Sequence, residues 1–145
     1  MNEIYLDNNA TTRIDDDVLR AMLPFLKEDY GNPSSIHKKG QFIRQHIEEC
    51  REKVAGILGA SPKEIIFTNG GTESDNLAII GSARAQKEKD PSRNHIITSQ
   101  IEHKAVLQSC HYLETQGFEV TYLPVDKYGL VSPDDFRKSV KSSTF

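Results

Sequence analysis

The stretch Ile65-Ile66-Phe67-Thr68-Asn69-Gly70-Gly71-Thr72-Glu73-Ser74-Asp75-Asn76-Leu77 constrains this chain more than any other. A β-branched apolar run stops at two glycines and gives way to a helix-like pattern, which reads as strand, tight turn and helix N-terminus. Such a terminus presents free backbone N–H groups at the positive end of the helix dipole, and so it favours an anion. Gly70 and Gly71 let the backbone approach a ligand and take positive φ without a Cβ penalty. Thr72 and Ser74 add hydroxyl donors. The ligand implied is a phosphate or a phosphorylated cofactor. No lysine follows the glycines, as it would in a P-loop, and the G-x-G-x-x-G spacing of a dinucleotide fold is missing. The same residues also read as an ordinary strand-to-helix turn, with Thr72 as the cap and Asp75 as its weak capping partner.

Around this turn the pattern alternates between helix and strand, the signature of an α/β chain. Ile4–Leu6 reads as a short extended piece, and Asp15-Asp16-Asp17 places negative charge at a helix start. Val18, Leu19, Met22 and Leu23 share one face of that helix until Pro24, which is expected to kink or end it. Residues 31–37 read as loop. From Gln41 to Leu58 the apolar series Ile43, Ile47, Cys50, Val54, Ile57 steps 4-3-4-3, an amphipathic helix closed by Gly59. Strand 65–68, helix 73–87, strand 95–99, helix 104–116 and strand 118–123 follow. Residues 87–94 form a charged surface loop, residues 133–140 open another helix, and residues 139–145 look like the approach to a further strand. The division this suggests is an N-terminal segment with two helices over 1–60 and an α/β part over 61–145.

Composition excludes several classes. The chain has 145 residues, 37% of them hydrophobic and 27% charged, with a net charge of −3. No basic stripe points to nucleic acid, and no apolar run approaches the roughly 18 residues a membrane span needs. Two cysteines without a CxxC pair, and no basic-then-apolar leader before Ile4, lead to the expectation of a reducing, cytoplasmic setting.

Three further segments join the glycine turn: Tyr5-Leu6-Asp7-Asn8-Asn9-Ala10-Thr11-Thr12, Gly31-Asn32-Pro33-Ser34-Ser35-Ile36-His37, and Ile101-Glu102-His103-Lys104-Ala105-Val106-Leu107. With all four in this order and spacing, the chain resembles cysteine desulfurases, class V enzymes dependent on pyridoxal 5′-phosphate (PLP), from about Ile4 to Phe145. The resemblance implies part of the large domain of the aminotransferase type I fold, an α/β architecture, truncated mid-sheet. It implies conversion of L-cysteine to L-alanine, with the sulfur passed to an enzyme cysteine as a persulfide and on to a sulfur-acceptor or scaffold protein for iron–sulfur assembly or thiolation. It also implies a homodimer in the full-length form. Gly71 and Thr72 match the family's phosphate-binding positions. His103 matches the histidine that stacks on the pyridine ring and takes part in proton transfer, so it is both a cofactor-binding and a catalytic candidate.

Several family features have no counterpart in these residues. They are the acidic partner of the pyridine nitrogen, the lysine that anchors the cofactor, the arginine for the substrate carboxylate and the nucleophilic cysteine. Lys104 belongs to a helix start and does not match the anchoring lysine. The expectation is therefore an N-terminal portion inactive by itself. A non-catalytic interaction or dimerisation segment, one half of a split enzyme, a selenocysteine lyase and another class V enzyme are the alternatives. Cys50 and Cys110 both lie on apolar helix faces and are expected to be buried small hydrophobes. His46 reads as helix-edge packing, His95 as a strand start and His111 as helix surface, and no histidine pair has metal-ligand spacing with carboxylates. His37, Ser34 and Ser35 lie on a loop that in the family approaches the active site and dimer interface. Asn8, Asn9 and Thr11 match a segment bordering the substrate pocket. Without the resemblance, both segments read as turn and cap chemistry.

Overall fold

Residues 4–145 are described in the computed structural model of the chain, and they divide into two compact units between Ile66 and Phe67. The first unit holds α1 (Asp16–Lys27), α2 (Lys38–Leu58) and a short 3₁₀ turn at Pro62–Glu64. Asp15 caps α1, its carboxylate accepting the Asp17 N–H at 2.8 Å. Pro24 does not end this helix. Its ring forfeits one backbone bond, and its carbonyl accepts the N–H groups of Glu28 (2.8 Å) and Asp29 (2.9 Å), so α1 closes at Lys27.

Helix α2 starts earlier than the expected Gln41, because His37 caps it through Nδ1, which accepts the Gly40 N–H at 3.4 Å. Gly59 ends α2 in the left-handed region, φ 66°. The loop over residues 31–37 is bolted to the start of α2. Arg44 Nε donates to the Pro33 carbonyl at 2.7 Å and Gln41 Nε2 to the Ile36 carbonyl at 2.9 Å. Gly40 makes this approach possible, since a Cβ there would stand 2.5 Å from the Ser35 carbonyl oxygen. The His46 ring packs against Phe25 of α1 (5.3 Å, edge-on) and Phe42 of α2 (4.2 Å), as a helix-edge histidine should. Cys50 departs from expectation: it is exposed. The 4-3-4-3 face exists, but little in the unit packs on it. Ile57 is 85% exposed, and Ala55 and Gly40 are the only residues of α2 that are buried.

The second unit runs α3 (Gly71–Lys89), β1 (His95–Ser99), α4 (Lys104–Thr115), β2 (Glu119–Leu123) and α5 (Pro133–Ser139). β1 and β2 pair in parallel, His95 opposite Glu119 through Ser99 opposite Leu123, with α4 as the crossover. Ala83 of α3, Leu113 of α4 and Phe118 form the core, with Ile79, Ile80 and Ile96 packed against it. Cys110 is buried as expected, and its thiol pKa is pushed up by burial and by Glu114 and Glu102. The far edge of β1 is engaged too. The His95 N–H donates to the Ser143 carbonyl (3.1 Å), and a parallel bridge joins His95 to Thr144.

Residues 65–68 are the clearest departure from the sequence reading. Ile65 is extended (φ −91°, ψ 125°), but the segment belongs to no strand among the described residues. A strand is made by its neighbour, and among the described residues no ladder partner pairs with residues 65–68.

Candidate functional site

The turn before α3 is built by its own side chains. Gly70 is the N-cap, so the helix begins two residues ahead of the expected Glu73, and Thr72 lies in its first turn and is not its cap. The Gly70 carbonyl accepts the Ser74 N–H at 3.1 Å and the Ser74 hydroxyl at 3.2 Å. Thr68 Oγ1 lies 2.6 Å from Ser74 Oγ and 3.3 Å from the same carbonyl, closing a knot of two hydroxyls on one oxygen. The Glu73 carboxylate accepts the Asn69 N–H at 2.7 Å. Asn76 Nδ2 donates to the Thr72 carbonyl at 2.7 Å.

Neither glycine uses the left-handed region; Gly70 sits at φ 161°, extended backbone that any residue adopts, and among the described residues positive φ in the usual sense is confined to Gly59, Gly117 and Gly129. What the glycines provide is room. A Cβ at Gly70 or at Gly71 would meet nothing within 4 Å, so no packing inside the chain calls for glycine there. The first N–H groups of α3 have no carbonyl partner within the helix. Among the described residues the Thr72 hydroxyl makes no hydrogen bond either. An open cradle with two N–H groups and a free hydroxyl suits a phosphate dianion.

His103 is the N-cap of α4, four residues beyond the end of β1, and it is exposed. Its Nδ1 accepts the Ala105 N–H at 3.1 Å, so the neutral ring carries its proton on Nε2. Helices α3 and α4 run side by side in the same direction, because Arg84 meets the Tyr112 hydroxyl and Lys87 the Gln116 carbonyl near the C-terminal end of each. Followed back from these contacts, both helices begin on the same side of the unit, α3 at Gly71 and α4 at Lys104. Gly71, Thr72 and His103 therefore share the end of the unit to which the strands deliver their C-termini, where open α/β folds bind ligands.

The remaining candidates have local partners within their own units. His37 and Ser34 serve the loop on α2, with the Ser34 N–H donating to Asn32 Oδ1 at 2.9 Å. Asn8, Asn9 and Thr11 lie in or beside an exposed turn in the first unit, where the Thr12 hydroxyl donates to the Asn8 carbonyl. His111 is on the helix surface as expected, 2.9 Å from the Glu114 carboxylate and 3.0 Å from the Tyr122 hydroxyl. Partial burial and Glu114 push the Tyr122 pKa up to about 12, so this phenol stays protonated. No group of His, Cys, Asp and Glu among the described residues could hold a metal ion.

The second unit is a parallel α/β unit with a glycine turn opening α3 and a histidine capping α4. More particularly, the chain belongs to the aminotransferase class-V family, which matches residues 4–145. It is 56% identical over 142 residues to the cysteine desulfurase IscS of Dictyoglomus turgidum, covering 98% of this chain and 35% of the relative. It is 55% identical over 141 residues to the cysteine desulfurase IscS of Methanosarcina thermophila, covering 97% and 34%. Among solved structures, a NifS-like protein superimposes with a TM-score of 0.86 at 48% identity, covering 95% of this chain and 37% of that one. SspA in complex with cysteine does so with 0.83 at 41%, covering 94% and 38%. The chain thus spans about a third of the length of the curated relatives it matches.

Proposed function

We propose that these residues form the front part of a PLP-dependent cysteine desulfurase, with residues 61–145 opening its cofactor-binding domain. The observation that carries this reading is the turn at Gly70–Thr72: open above both glycines, with unpartnered donors, in a chain about half identical to cysteine desulfurases throughout. The N–H groups of Gly71 and Thr72 and the Thr72 hydroxyl would hold the cofactor phosphate. The His103 ring, fixed at its Nδ1 edge by the Ala105 N–H, would offer a flat face to the pyridine and a proton at Nε2. Bound there, PLP supplies an electron sink for the α-carbon of an amino acid. The proposed substrate is L-cysteine, the molecule bound in the SspA structure. The products would be L-alanine and a persulfide on an enzyme cysteine, destined for a separate sulfur acceptor, and the working assembly would be a homodimer.

The test is a chimera in which this chain replaces its counterpart in the Dictyoglomus turgidum relative, assayed for alanine formed from L-cysteine. The expected result is turnover in the chimera and none by the 145-residue chain alone. Thr72→Val in the chimera should weaken cofactor retention roughly 10- to 150-fold, the loss of one charge-assisted hydrogen bond of about 1.5–3 kcal/mol. A folded chimera that retains the cofactor but forms no alanine would contradict the assignment. Unchanged retention in Thr72→Val would remove that residue from the site.

A further inference from the structure

His95 is the most enclosed polar side chain of the second unit, 0% exposed at the start of β1. Its Nε2 lies 2.8 Å from Thr121 Oγ1 on β2, and its Nδ1 lies 2.7 Å from Thr144 Oγ1 on the opposite flank. One ring therefore ties together three neighbouring extended segments. The backbone follows the same line: the His95 N–H donates to the Ser143 carbonyl (3.1 Å), and the Phe145 N–H donates to the His95 carbonyl (3.4 Å). Thr144 Oγ1 also accepts the Lys141 N–H at 2.8 Å, which anchors the hydroxyl that the ring holds. The Phe145 ring lies edge-on to Phe118 of the core, 6.3 Å between centroids.

We propose that His95 is an acid-released clasp: as a neutral ring it holds residues 141–145 against β1, and its protonation frees that segment while the β1–β2 pair stays formed.

The chemistry of its partners sets the direction. A neutral imidazole has one donor and one acceptor nitrogen, which two hydroxyls match, one accepting and one donating. An imidazolium would lie fully enclosed between two neutral hydroxyls with no carboxylate bonded to it, a costly place for a charge. The charged groups around it do not repair this. Lys141 and Arg93 are cations, the latter donating to the Thr144 carbonyl. Glu119, at the start of β2, is engaged by the Lys141 ammonium, which also holds its own carboxyl below the usual range. The His95 pKa accordingly lies below the ordinary 6.5, through burial first and Lys141 second, with Glu119 opposing. A histidine with a lowered folded pKa binds its proton more readily once released. Docking of the segment is therefore at full strength above about pH 6.5 and declines as pH falls from there toward the folded value. The β1–β2 pair has a five-residue register and the Leu113–Phe118 core behind it, so it outlasts the clasp.

The test is amide hydrogen exchange by NMR on the 145-residue chain from pH 7.5 to 4.5, corrected for intrinsic rates, with the His95 ring shifts followed alongside. The amides of His95 and Lys141 report the clasp, and those of the remaining β1–β2 ladder report the sheet. Below pH of about 6.5, opening at the clasp should rise by up to about tenfold per pH unit while the ladder remains protected. Thr144→Val should leave both clasp amides weakly protected at every pH and remove the dependence; Thr144→Ser should restore it. A His95 ring titrating at or above 6.5, clasp amides without pH dependence, or clasp and ladder opening at the same pH would each overturn the proposal.

Discussion

The two units obey the same helix rules and come out differently in what they bury. Unit one has two well-capped helices whose apolar faces are legible in the sequence, yet α1 buries no residue and α2 only Gly40 and Ala55. Unit two has a parallel pair and two helices that converge on Leu113, Ala83 and Phe118, all below one-tenth exposed. Capping and periodicity determine whether a helix can form, whereas a second surface determines whether its face becomes a core. The sheet gives α3 and α4 such a surface. Within unit one, Val18, Leu26 and Ile57 find none, at 51%, 68% and 85% exposure.

The contrast is sharpest at Leu113, fully enclosed in α4. Leu113→Ala should cost about 2–5 kcal/mol, by lost transfer energy and the cavity left behind. A shift of the urea midpoint at constant slope would show it, and a loss under 1 kcal/mol would mean that unit two is as loosely held as unit one. The two cysteines give a probe in each unit. Cys50 is exposed and Cys110 is enclosed with a raised pKa, so a thiol reagent at neutral pH should modify Cys50 at least about a hundredfold faster. Equal rates would erase the distinction.

Unit one has one tightly fitted place, and it is a loop on a helix. Gly40→Ala gains helix propensity but drives a Cβ to 2.5 Å from the Ser35 carbonyl and 2.6 Å from that of Asn32. The net expectation is a loss of about 1–3 kcal/mol, with the loop over 31–37 lifting from α2. Loss of amide protection at Ser35, whose N–H donates to the Asn32 carbonyl at 3.0 Å, would report it. Ile57→Ala, at 85% exposure, should stay within about 0.5 kcal/mol of the parent. A larger cost in the same urea titration would reveal a partner for that face.

Local signals were the readable part of the sequence. The 4-3-4-3 spacing of α2, the Gly59 stop, the two paired strands and the helix between them follow from periodicity and punctuation alone. The turn at Gly70–Gly71 as a helix start was equally local, whereas the roles proposed for Thr72 and His103 came from the family resemblance. Long-range partners decided the rest. Residues 65–68 have strand composition but no ladder partner among the described residues. Cys50 lies on an apolar face that its unit covers only in part, and it stays exposed. Gly70 and Gly71 were read as offering close backbone approach and positive φ; the left-handed φ is not used, and a Cβ at either would meet open space. The role of His95 rests on Thr121 and Thr144, at separations of 26 and 49 residues, which no local pattern announces.

The central claim is that the N-terminus of α3 grips a cofactor phosphate. Titration of the ¹⁵N-labelled chain with pyridoxine 5′-phosphate, which lacks the aldehyde and so cannot react with lysines, tests it directly. The account predicts saturable shifts at the amides of Gly71 and Thr72 and at the His103 ring, absent with unphosphorylated pyridoxine and weakened in Thr72→Val. Shifts scattered over surface lysines, or equal for the two compounds, would contradict it.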